Sequence, residues 1–197
     1  MNFVPTGQAI PVGGWQMGIF DTSDVADALG YHELTPEGQP LGKVFAKTAQ
    51  QDGASWTVTL SHELLEMLGD PDASLYALNQ DSVSTKIYSY EVCDPVEDDS
   101  SGYKINNTLV SNFVFPEWFE EFWAANSTQF DFMKSVNMPL MLSKNGYLTV
   151  LDITKNPGTW QTLFGPARTT IDLARSRSSA RHLLRMIPRT EWRKSLI

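Results

Sequence analysis

The chain has 197 residues, 42% of them apolar, including six Trp, six Tyr and ten Phe, and it carries a net charge of −8. That composition excludes a disordered polar chain and provides enough apolar surface for one domain with a core. A single cysteine, Cys93, excludes an internal disulfide framework and favours a reducing compartment.

The charge is unevenly spread. Residues 1–164 hold seven lysines, no arginine and 21 acidic residues, a sum of −14, whereas residues 165–197 hold seven arginines, one lysine and two acids, a sum of +6. Such a split marks a body, 1–164, and a basic segment, 165–197, with a partner of its own. The first residues, MNFVPTGQAIPVGG, show neither a basic start nor a long apolar run. No signal peptide or membrane span is expected, and the place of action is the cytoplasm or a virion.

In chain order, WQMGIFD alternates as a strand does. Thr22 or Ser23 is positioned to cap a short helix that runs through Leu29 and ends at Gly30. LTPEGQPLG reads as a loop, KVFA as a short strand and AQQDGAS as a second loop. WTVTLSHELLEMLG carries a helical pattern after a β-rich approach, SWTVTLS, and Asp70-Pro71 stops it before a second short helix from Ala73 to Leu78. IYSYEV reads as a strand, DPVEDDSSG as a solvated acidic loop and YKINNTLVSNFV as a hairpin. PEWFEEFW predicts a helix opened by Pro116, with a core-facing aromatic stripe at Trp118, Phe119, Phe122 and Trp123. MPLMLS and YLTVLD, joined at Asn145-Gly146, predict a second hairpin. Strands and helices mixed in this way give an α+β class with a mixed sheet and β-hairpins.

On a wheel of about 100° per residue with His62 at zero, Glu66 falls near about 40°, Asp70 near about 80° and Glu63 near about 100°. Leu60, Leu64, Met67 and Leu68 spread over the other side. An ordinary amphipathic helix with a solvated acidic face would produce this pattern. Two features argue for chemistry instead. His62 and Glu66 stand at i and i+4, a spacing at which two side chains can clamp one ion. Glu63 directly follows the histidine, where the HExxH metal helix places the general base that activates water.

SHELLEMLGDP resembles the active-site helix of the zincin metallopeptidases in a variant, HExxE form. GYHELTPEGQPLGKVF, TLSHELLEMLGDP, YEVCDPVED and VSNFVFPEWF together resemble a group of zincin-like proteins encoded by bacteria and tailed phages. The resemblance runs from about Trp15 to Phe119 and leaves out the basic segment. It implies a zincin-like domain with His62 and Glu66 as metal ligands and Glu63 as the catalytic base. Glu66 stands where zincins have a second histidine, which makes the site harder and more anionic. Zinc is the implied ion, with calcium, manganese and magnesium as alternatives. Asp70, Asp72, Glu91 and Asp94 are candidates for the third ligand. Glu91 and Asp94 are favoured, because Pro71 ends the helix and turns Asp72 away. His32 reads as a structural histidine, with metal ligation or transition-state donation as its functional alternative. Cys93 reads as a small buried residue. Glu97, Asp98 and Asp99 fit no EF-hand pattern.

The segment 165–197 predicts one helix, about Pro166 to Met186, stopped by Pro188. Seven arginines suit bidentate grip on carboxylates or phosphates. Other protein chains of an assembly are the expected partners, nucleic acid is the weaker alternative, and no membrane is expected. Three functions compete: a structural component of an assembly such as a tailed-phage virion, an active zinc metallopeptidase, and a metal-stabilised binding domain. The first is favoured.

Overall fold

The computed structural model of the protein describes residues 2–26, 28–80, 84–120, 128–154 and 160–166. Phe122, Trp123 and all but the first two residues of the basic segment, including most of its expected helix, lie outside these. The described part is α+β. Strand β1 (Gln16–Phe20) pairs in parallel with β3 (Pro40–Phe45), and β2 (Gly30–Leu34) pairs antiparallel with β3, so the three form one mixed sheet in the order β1-β3-β2. Helix α1 (Ala46–Gln51) follows β3 directly, and helix α2 (Trp56–Gly69) then packs across β2 and β3. A second sheet is antiparallel, in the order β4 (Tyr76–Gln80), β5 (Thr85–Ser89), β8 (Tyr147–Asp152), β9 (Trp160–Phe164). Between β5 and β8 the chain makes a small hairpin, β6 (Tyr103–Ile105) and β7 (Thr108–Val110). Among the described residues no helix is long and apolar enough to cross a membrane.

Several local expectations are overruled by tertiary contacts. Among the described residues of Thr22–Leu29 no helix forms. Ser23 Oγ accepts the Val25 N–H at 3.1 Å, which closes a tight turn where a capping bond would have reached into a helix. AQQDGAS is not all loop, because the Lys47 and Thr48 amides that open α1 both donate to the Asp21 carbonyl. SWTVTLS is no strand-like approach: α2 starts at Trp56 and includes it. Nor does a helix form over Ala73–Leu78. Both Asp70 carboxylate oxygens accept backbone amides, from Ser74 at 2.9 Å and Leu75 at 2.8 Å, and this turns the chain out of α2 into β4. PEWF forms a single 3-10 turn, Pro116–Phe119. The Asn145-Gly146 turn is present, with Asn145 at φ 66°. The MPLMLS arm is not a strand, however: its Leu140 amide is taken by Trp118 O and its Ser143 amide by Pro95 O, and β8 pairs instead with β5 and β9.

The apolar core lies under the second sheet. Tyr88, Val96, Val114, Trp118, Phe119, Phe130, Leu148 and Val150 fill it. Trp118 is fully buried and its Nε1–H donates to Met141 O at 2.9 Å, so its polar edge is satisfied. Two glycines close the far side. A Cβ at Gly146 would meet Pro95 O at 2.0 Å and one at Gly165 would meet Ser143 O at 2.0 Å, so neither position has room for a side chain. The Gly165 amide donates to Gly146 O at 2.8 Å. The end of β9 is thereby clasped against the segment that contains Pro95.

Candidate metal centre

Helix α2 is inside out. Its buried residues are Val58, Thr59, His62, Glu63, Glu66 and Met67, whereas Leu68 is 58% exposed. The acidic face that would suit water is therefore the face turned inward. Glycine makes this approach feasible on the sheet side. A Cβ at Gly30 would come within 2.7 Å of Thr59 Cγ2 and 3.0 Å of Glu63 Oε1, so α2 lies directly on the β2 backbone there. His32, two residues on, projects from the same face of β2. It brings its imidazole to Glu63 (Nδ1 to Oε2, 3.4 Å) and Glu66 (Nδ1 to Oε2, 3.7 Å), and its Nε2 lies 3.8 Å from Glu91 Oε2.

The opposite wall is the segment from Glu91 to Glu97. The Cys93 amide donates to Glu66 Oε1 at 3.2 Å and fixes that carboxylate. Asp94, Pro95 and Val96 form a 3-10 turn. At three residues per turn, Asp94 and Glu97 fall on one side while Val96 enters the apolar core. His62 Nε2 then stands 3.1 Å from Glu66 Oε1 and 3.2 Å from Asp94 Oδ1, yet neither contact has hydrogen-bond geometry. Three sets of donor atoms come within 4.8 Å of one another and could hold a metal ion: His62, Glu66 and Cys93; His32, Glu63 and Glu66; and His62, Asp94 and Glu97.

The energetics of this cluster differ from those of other buried acids in the same chain. Asp131 is also fully buried, and it accepts from Asn112 Nδ2 (2.7 Å), Ser135 N–H (2.9 Å), Ser135 Oγ (2.8 Å) and Val136 N–H (3.0 Å). Both Asp70 oxygens are likewise satisfied, by the Ser74 and Leu75 amides, so Asp70 shapes a turn. In the cluster, by contrast, His62 Nδ1, Glu63 Oε1, Glu66 Oε2 and both Asp94 oxygens are buried without a hydrogen bond. Desolvation pushes the Glu63 carboxyl up to about 7, opposed by the His32 contact and the charge on His62. It also pushes Asp94 to about 7, reinforced by the negative charge of Glu66, and raises Glu66 itself. For His62 burial works the other way, but the Glu66 charge and the Asp94 contact prevail and hold the imidazolium well above its usual range. Burial holds the Cys93 thiol well above its ordinary value. Buried polar atoms without partners are costly and are expected where a cation supplies the missing interaction. The donor set, two imidazoles among carboxylates, fits such an ion.

No protein-family model, no curated protein and no solved structure matches this chain.

The sequence candidates are placed as follows. His62, Glu63, Glu66 and Asp94 converge. Glu91 is buried at the edge of the cluster, against the outer nitrogen of His32. Asp72 is exposed. The DPVEDDSSG segment is not a solvated acidic loop: Asp94 and Glu97 are buried in the centre, Asp98 accepts the Ser100 amide, and Asp99 accepts the Ser55 amide ahead of α2. His32, which reads as structural, and Cys93, which reads as a small buried residue, both stand within reach of an ion. The signals for the added residues are short ones. Gly30 and His32 share one strand face, and Glu97 stands three residues after the candidate Asp94, the spacing of a 3-10 turn.

Proposed function

We propose that this domain is a zincin-like, metal-centred building block. A divalent ion is held inside the fold by His62, Glu66, Asp94 and neighbouring carboxylates, and the basic segment 165–197 docks the domain into an assembly, such as a tailed-phage virion. The observation that carries the metal centre is the inward acidic face of α2: His62 Nε2 stands 3.1 Å from Glu66 Oε1 and 3.2 Å from Asp94 Oδ1, and buried atoms of His62, Glu63, Glu66 and Asp94 are left without a hydrogen bond. The burial of this centre favours a structural over a catalytic ion. Structural sites are closed, whereas catalytic ones keep a position open to substrate. Here His62, Glu63 and Glu66 are all fully buried. The assembly role rests on the charge split and on the resemblance of the four motif segments.

Elemental analysis of the purified chain is the test. A divalent metal is expected to co-purify, to be lost in His62→Ala, and to raise the melting temperature when restored after chelation. A chain that binds neither zinc nor manganese would sink the reading. For the docking role, a chain truncated after Gly165 is expected to stay folded and soluble and to lose assembly.

One observation favours a second reading, hydrolysis with Glu63 as base. A carboxyl held at about 7 by burial suits proton transfer near neutrality. Chelator-sensitive peptide cleavage that disappears in Glu63→Gln would establish it and displace the structural reading.

A further inference from the structure

Resting on the metal-centre reading above, we propose that the centre holds two divalent first-row transition ions, bridged by the Glu66 carboxylate. The donors divide into two sets around two histidines. His62 shares its sets with Asp94, Glu97, Cys93 and Glu66, while His32 shares its set with Glu63 and Glu66. The two histidines never occur in one set, and Glu66 is the carboxylate common to both sides.

The orientation of Glu66 matches this division. Its Oε1 faces His62 Nε2 at 3.1 Å and its Oε2 faces His32 Nδ1 at 3.7 Å. The Cys93 amide, donating to Oε1 at 3.2 Å, locks the carboxylate in that attitude. A carboxylate with one oxygen turned to each of two imidazoles has the geometry of a bridge, and bridged ions in two-metal sites stand about 3.5–4 Å apart. Glu91 Oε2 lies 3.8 Å from His32 Nε2, on the side of the ring away from Glu63 and Glu66, which face Nδ1.

Charge points the same way. Glu63, Glu66 and Asp94 are between 0 and 1% exposed. Ionised together, these three carboxylates carry more charge than one divalent ion neutralises, and an uncompensated buried charge is strongly destabilising. A second ion removes the excess. Two imidazoles among carboxylates are also the donor set of carboxylate-bridged dimetal centres on helical bundles, realised here between a helix, a strand and a 3-10 turn. An imidazole in each set selects manganese, iron or zinc over calcium or magnesium.

The test uses the full chain, stripped by chelation, reloaded with Mn2+ and desalted, with bound metal counted per chain and followed by electron paramagnetic resonance. Two ions per chain are expected, with the second equivalent converting the spectrum of an isolated ion into that of a spin-coupled pair. His32→Ala is expected to drop the stoichiometry from two to one and to keep the isolated-ion spectrum. One ion per wild-type chain overturns the pair and leaves the metal centre standing, whereas no bound ion overturns both. A His32→Ala chain that still binds two overturns the assignment of the second site. If that variant does not fold, the wild-type count and spectrum decide alone.

Discussion

Two interiors coexist in this small domain, and they are built on opposite rules. Beneath the second sheet, Trp118, Phe119, Phe130 and Leu148 bury apolar surface, and the buried acid Asp131, next to Phe130, has a donor for each oxygen. Beneath the first sheet, α2 turns His62, Glu63 and Glu66 inward and leaves several of their atoms without a hydrogen bond. The first interior is complete as the chain alone. The second leaves buried polar atoms that a cation could partner. Burial by itself therefore says little about stability in this protein; what decides is whether each buried polar atom has a partner.

The largest expected effect tests the independence of the apolar interior. Trp118→Ala should cost about 3–5 kcal/mol, the usual range for deleting a large buried aromatic. Urea denaturation should give the same loss in chelated and metal-loaded protein. A loss that changes markedly with metal would mean that the two interiors are one cooperative network.

The next effect concerns pH. Glu63 rises from an ordinary 4.5 to about 7 in the fold, and Asp94 from 3.8 to about 7. The native, metal-free state therefore binds more protons than the unfolded chain across that window, and its stability falls as pH rises through it. His62, raised above its ordinary value, adds to the same trend at the upper end, because its contribution is lost as pH rises through its folded pKa. With metal bound the slope should reverse, since protons and cations compete for the same donors. Melting temperatures from pH 4.5 to 8, with and without chelator, check the sign; parallel profiles would be fatal to the idea.

The smallest effect is the sharpest contrast. Asp131→Asn removes charge-assisted hydrogen bonds and should destabilise the protein by about 1.5–3 kcal/mol in any buffer. Asp94→Asn should raise the melting temperature of chelated protein at pH 8, because it removes a carboxylate that burial disfavours, and should weaken metal binding in the same preparation. If both substitutions destabilise alike without metal, the two acids are equivalent and the contrast fails.

How much of this was legible in the sequence varies with the kind of information each feature needs. The extent of α2 and the grouping of His62, Glu63 and Glu66 on one face follow from helical period alone. Which face is buried does not, because amphipathicity has no sign until a neighbouring wall is known, and here the wall is β2 with its bare Gly30. The strand that carries His32 was hidden in GYHELTPEGQP, where polar residues mask the alternation. Asp94 is legible as a candidate ligand, but Glu97 reads as a solvated acid because a 3-10 turn gives too short a pattern to reveal an inward side. The false helices over 22–29 and 73–78 share a cause: Ser23 and Asp70 have capping chemistry, but each spends it on a turn.

The two-glycine seam has a mechanical consequence. Gly165 is bonded to Gly146, and Gly146 leaves no space over Pro95, the residue between Asp94 and Val96. The basic segment thus begins at the end of β9, and its first residue is joined through Gly146 to the loop whose Ser143 amide bonds Pro95 in the acidic turn of the centre. Tension applied to the chain beyond residue 166 would load β9 directly and reach the acidic turn only through the Gly165–Gly146 seam, so the apolar sheet shields the polar interior from a pull on the anchor.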